Sequence, residues 1–202
     1  MKLKFDSPLM EYLNTCVHFI ALNLIFVICC LPIVTIGSAI AALYQVTLRE
    51  ARGEHGYLIR YFFKSFKEIF WQAFFTSLIF VVIGLILSYA LVFWNSLGGI
   101  LSAAVVALGF LFSALTFAAA IYVFPLMTRF HNSLKQTIMN AFLIALTNLK
   151  YTFLLLGIQV VVMVLLYLTD ITKMFMLIIG FSFIAYCNSY ILTKLFQSFE
   201  ST

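Results

Sequence analysis

IFWQAFFTSLIFVVIGLILSYALVFWNSLGGILSAAVVALGFLFSALTFAAAIYVFPLMT, residues 69–128, runs from Glu68 to Arg129 without an Asp, Glu, Lys, Arg or His. At about 1.5 Å of rise per residue, one crossing of a ~30 Å hydrocarbon core takes about 20 residues. This neutral stretch therefore holds two helices and a turn. The turn is Asn95-Ser96-Leu97-Gly98-Gly99, a cluster of residues that interrupt helices. Trp71 and Trp94 bracket the first of the two helices. Their separation, roughly 35 Å along a helix, suits the aromatic belts at the two membrane interfaces.

Toward the C-terminus lie two more neutral runs, Tyr151 to Thr169 and Met174 to Thr193. Each is about the minimum length for a crossing. Only Asp170-Ile171-Thr172-Lys173 joins them, which makes them antiparallel neighbours. Toward the N-terminus the run Phe19 to Leu48 is too long for one straight crossing and short for two. Pro32 and Gly37 interrupt it within Leu31-Pro32-Ile33-Val34-Thr35-Ile36-Gly37, because proline removes a backbone donor and clashes with the preceding turn. The reading favoured is one long, broken crossing, with a hairpin over 17–48 as the alternative. The expected architecture is all-α: a polytopic transmembrane helix bundle of about five spans, six if 17–48 is a hairpin. The whole chain, 1–202, forms a single integral membrane domain.

Composition agrees. Hydrophobic residues make up 64% and charged residues 9% of the chain, against roughly 45–50% and 25% in soluble domains. The net charge of +5 is that of cytoplasmic loops under the positive-inside rule, and no nucleic-acid partner is expected. The segment 49–67 carries Arg49, Arg52, Arg60, Lys64 and Lys67, and 129–150 carries Arg129, Lys135 and Lys150. Both segments and the C-terminal end with Lys194 are expected in the cytoplasm. Lys2 and Lys4 resemble the start of a signal peptide, but Asp6 and Glu11 interrupt it and no cleavage pattern comes after it, so the segment reads as retained. Cys16, Cys29, Cys30 and Cys187 have no spacing that points to a disulfide framework or a metal.

Two segments read as amphipathic helices at the cytoplasmic interface, near 57–70 and 134–148. In the first, Arg60, Lys64 and Lys67 share one face while Phe62, Phe63, Phe66 and Phe70 cover much of the rest. Such cations interact with an anionic leaflet by on the order of 1 kcal/mol each. Lys64-Ser65-Phe66-Lys67 and Gln72-Ala73-Phe74 align with Asn132-Ser133-Leu134-Lys135 and Asn140-Ala141-Phe142. The alignment suggests an internal repeat, 57–124 and 125–194, each copy an amphipathic helix followed by a pair of spans.

No ionisable residue stands near the centre of any span, where it would mark a transport or proton path. His18, His55 and His131 lie near ends or in loops without a second ligand at useful spacing, and no nucleophile, phosphate-loop or zinc motif occurs. The reading is therefore non-enzymatic, with no cofactor and no metal. The spans do carry neutral polar residues, Asn23, Gln45, Thr116, Gln159 and Asn188, which lipid cannot satisfy and which are expected to bond other helices. Ala103, Ala107, Ala114 and Ala118 line one face of the second long helix and mark it as the expected central, closely packed one.

The stretch from Asn23 through Leu31-Pro32-Ile33-Val34-Thr35-Ile36-Gly37 to Ala42-Leu43-Tyr44 resembles the signature of the YesL-like family of bacterial integral membrane proteins, a domain of unknown function. Arg52-Gly53-Glu54 and Phe62-Phe63-Lys64-Ser65-Phe66-Lys67 are similar to the segment next to that signature in family members. The chain has Ser38 where family members commonly have proline. The resemblance implies a multi-pass protein of the bacterial plasma membrane, encoded near sugar ABC importers, and brings no catalytic residues with it. The function expected is that of an accessory or partner protein of carbohydrate uptake, touching the lipid bilayer and importer permease subunits. Headgroup or partner contacts are expected at Arg49, Arg52, Arg60, Lys64 and Lys67. The alternative is a small transporter or channel for a polar solute.

Overall fold

A computed structural model describes residues 8–54, 56–130 and 132–200, and the side chains among them from Thr15 to Ser198. Among the described residues every regular element is helical: α1 (Pro8–Cys30), α2 (Ile36–Ala51), α3 (Leu58–Leu97), α4 (Gly99–Arg129), α5 (Leu134–Thr147), α6 (Leu149–Leu168), α7 (Asp170–Phe175) and α8 (Phe181–Glu200). A 3₁₀ turn, Ile33–Thr35, joins α1 to α2, and a π turn, Met176–Gly180, joins α7 to α8. His55, His131 and the charges at Lys2, Lys4, Asp6 and Glu11 fall outside the described side chains. Four helical runs are long and apolar enough to cross a membrane: Leu58–Leu97, Gly99–Arg129, Leu149–Leu168 and Asp170–Ser198.

The N-terminal region packs as an antiparallel hairpin of α1 and α2, the arrangement given above as the alternative to one broken crossing. Leu31-Pro32 ends α1, and Pro32 takes an extended conformation with φ −77° and ψ 122°. Thr35 closes the turn by donating its hydroxyl to the carbonyls of Cys29 and Pro32. Along α8, Phe19 of α1 meets Tyr186 while Phe26 meets Phe181, so α1 is antiparallel to α8. In α2, Tyr44 meets Asn188 and Thr47 meets Ser189, so α2 runs with α8 and therefore against α1. His18 in turn lies in a shallow cleft with Tyr57–Arg60, just past the end of α2. The sequence could not show this, because apolar length does not tell a folded run from a bent one.

The central helix is α2. Gly37, Ser38, Ala39, Ala41, Ala42, Leu43, Tyr44, Val46, Thr47 and Leu48 are buried, and α2 packs against α3, α4 and α8. Gly37 does not break it; the interruption lies before it, over 31–35. Gly37 lies within α2, where an added Cβ would stand 2.7 Å from Ser77 Cβ and 2.9 Å from the Ala73 carbonyl. Glycine lets the backbones of α2 and α3 meet there, and Ser38 ties them by donating to the Phe70 carbonyl at 3.1 Å. The alanine stripe expected to mark α4 as central faces outward at Ala103, Ala107 and Ala114, and only Ala118 is buried.

The amphipathic segment near 57–70 is not a separate helix at the interface. It is the first part of α3, which continues unbroken for 40 residues, or about 60 Å, twice the hydrocarbon thickness. All buried residues of α3 lie between Leu58 and Thr76, and those of α4 between Ala118 and Met127 apart from Ser102. Beyond these the two helices pack mainly on each other, through Leu91 on Gly109 and a hydrogen bond from the Ser102 hydroxyl to the Trp94 carbonyl. The second amphipathic segment is separate: α5 lies against α4 and ends at Asn148.

Gly37→Val should destabilise the fold by about 1–3 kcal/mol, since the two backbones cannot part without losing the Ser38 bond. Thermal unfolding in mild detergent checks this; an unchanged midpoint would mean that α2 and α3 do not approach as described.

Candidate functional site

The polar residues inside the bundle gather around the α1–α2 hairpin and α8. Asn23 is fully buried. Its Nδ2 donates to the carbonyls of Met176 at 3.0 Å and Leu177 at 2.8 Å, and its Oδ1 accepts from the Ser182 N–H at 3.0 Å. The π turn shifts the hydrogen-bond register by one residue, which leaves backbone groups short of partners inside the helix. Asn23 supplies both signs at that point. At Gly180 an added Cβ would meet the flexible Met176 side chain, which packs over the turn.

Nearer the end of α2, Thr47 Oγ1 and Ser189 Oγ share a hydrogen bond at 2.8 Å, and Asn188 Nδ2 donates to Tyr44 Oη at 3.2 Å. Asn188 Oδ1 is buried and has no partner among the described residues. On the other side of the bundle Tyr122 Oη lies 3.0 Å from Thr152 Oγ1, which donates to the Ala145 carbonyl and so links α4, α5 and α6.

Of the five polar residues singled out from the sequence, Asn23 and Asn188 bond other helices. Thr116 does not; its hydroxyl donates to the Phe112 carbonyl one turn back on its own helix. Gln45 and Gln159 are half-buried and have no hydrogen-bond partner among the described residues. Tyr44, Thr47, Ser182 and Ser189 were missed. Tyr44 reads as one aromatic among many, and small hydroxyl residues in apolar runs usually bond their own helix.

Gln159 and Asn188 share a cleft of about 590 Å³ between the hairpin turn, α6 and α8. Its walls are mostly apolar, with Phe26, Leu31, Ile40 and Phe181 among them, and Tyr44 is the third polar side chain on its lining.

The basic residues occupy the end where α2 finishes and α3 begins. Arg52 Nε bonds Glu54 Oε1 at 2.7 Å and Arg49 Nε lies 3.3 Å from Glu54 Oε2. The Arg49 guanidinium also stacks on the Tyr61 ring at 4.1 Å from its centroid. These two arginines thus close the α2–α3 connection. Arg60, Lys64 and Lys67 are exposed on α3, with Lys64 3.9 Å from Glu68.

A family model described as "Protein of unknown function, DUF624" matches residues 19–91. The match covers the second half of α1, all of α2 and most of α3, with Asn23, Pro32, Gly37 and Tyr44. No curated protein and no solved structure matches the chain.

Replacing Asn23 with alanine removes three hydrogen bonds, to the Met176 and Leu177 carbonyls and from the Ser182 N–H. A loss of about 1–3 kcal/mol in unfolding free energy is expected, whereas Thr116→Val should stay within about 0.5 kcal/mol. Comparing the two variants by denaturation in one detergent tests this, and equal effects would refute the assignment of Asn23.

Proposed function

We propose that the protein is a non-enzymatic, multi-pass protein of the bacterial plasma membrane, serving as an accessory partner of a carbohydrate ABC importer. The observation that carries the accessory role is where its intramembrane polar groups go. Asn23, Thr47 and Ser189 spend their hydrogen bonds on the protein's own helices, and the Asn188 amide N–H₂ is given to Tyr44. Such bonds fasten a packed bundle; a conduit for a polar solute would keep its donors and acceptors facing the path. The cleft beside Gln159 is walled mainly by apolar side chains, which offers a sugar little. The importer as partner rests on the resemblance to the YesL-like family.

In this reading Arg60, Lys64 and Lys67 face the cytoplasmic headgroups or a partner's acidic surface, while Arg49 and Arg52 are structural. Purification from native membranes in mild detergent should bring a sugar-importer permease with the protein. Replacing Arg60, Lys64 and Lys67 together with glutamine should weaken that association without changing the unfolding midpoint. If no permease accompanies the protein, the accessory reading fails; sugar flux through liposomes holding the protein alone would establish the transporter instead.

A further inference from the structure

Asn188 and Tyr44 line the apolar cleft as a pair with unused hydrogen-bonding capacity. Asn188 is 1% exposed. Its Nδ2 is spent on Tyr44 Oη at 3.2 Å, and its Oδ1 is without a partner among the described residues. Because Tyr44 accepts in that bond, its own O–H remains to be donated. If the amide were turned over, Tyr44 would donate to Oδ1 and the N–H₂ would be left over instead. In either orientation one end of a buried amide lacks a partner, a state that costs roughly 1–3 kcal/mol. Gln159, on the same lining, adds a second amide with no partner among the described residues.

A buried orphan acceptor beside a spare donor, at the wall of an apolar cleft, is complementary to one chemical group. A hydroxyl donates once and accepts twice, so one oxygen can give its hydrogen to Asn188 Oδ1 and take that of Tyr44. A carboxylate would set an acceptor against Oδ1, and the lining holds no cation to balance its charge. The remainder of the wall, including Phe26, Ile40, Leu43, Val162 and Phe181, suits a hydrocarbon chain.

We propose that the cleft between the α1–α2 hairpin, α6 and α8 binds an uncharged, membrane-soluble alcohol, with its hydroxyl on Asn188 and Tyr44 and its chain along the apolar wall. This goes beyond the accessory role and does not depend on any importer. The probe is 1-hexadecanol carrying a diazirine at mid-chain, photolysed with the purified protein in nanodiscs, and the labelled peptides are mapped. Label should concentrate on the cleft walls, within 26–44, 159–162 and 177–188. Unlabelled 1-hexadecanol should compete, and hexadecane and palmitate should not. Asn188→Leu should lower the affinity about tenfold, the worth of one buried hydrogen bond, with the protein still monodisperse. Tyr44→Phe, which removes only the O–H, should act in the same direction and decides the matter if Asn188→Leu does not fold. Label spread over the outer faces of α3 and α4, equal competition by hexadecane or palmitate, or unchanged affinity in a folded variant would each overturn the proposal.

Discussion

The fold depends on one side-chain amide placed against one irregular turn of helix. Between Met176 and Gly180 the helix widens into a π turn, and Asn23, from a helix more than 150 positions away in the chain, takes up the carbonyls of Met176 and Leu177 and the N–H of Ser182. Water could do the same for a soluble helix. Inside a bilayer only protein can satisfy such groups, because an unpaired backbone group in hydrocarbon costs several kcal/mol. The clasp therefore fixes the depth of α1 against the α7–α8 run, and the turn at Pro32 sends α2 back beside α8.

The result is a bundle built around a short helix. Gly37, Ser38, Ala39, Ala41 and Ala42 give α2 a narrow surface that α3, α4 and α8 approach closely. Small residues are effective here because burial of apolar area does little to drive association between helices already in lipid; contact and hydrogen bonding must do it. The same reasoning explains the outer parts of α3 and α4, whose large apolar side chains remain exposed from Leu78 to Phe117. Facing acyl chains, they need no protein cover.

Much of this was readable in the residues, and the rest was unreadable for physical reasons. The α3–α4 boundary stood out because Gly98 and Gly99 both adopt positive φ, 67° and 90°, at the place where the breaker cluster occurs. The join at Asp170 was visible as a charge pair, and Lys173 Nζ does bond Asp170 Oδ1 at 2.7 Å. Gly37 reads in the sequence as a break and serves in the fold as a contact, since glycine supports both and only a neighbouring backbone decides. The outward alanines of α4 misled for a related reason: a stripe that permits close approach does not require it. Amphipathic patterning at 57–70 was real but could not reveal that the helix continues without a bend into the apolar run. The π turn left no mark, and neither did the pairing of Tyr44 with Asn188, because both hinge on contacts between distant segments.

The hairpin is the claim on which the clasp, the central place of α2 and the cleft all rest. It is tested by single cysteines at His18 and Gly53, in a background where Cys16, Cys29, Cys30 and Cys187 are serine, treated in intact cells with a membrane-impermeant maleimide. A hairpin places both positions on one side of the membrane, so they should be protected together in intact cells and react together once the membrane is opened, or react together from outside. Labelling of one and protection of the other would show that the chain crosses once between them, and would contradict the account.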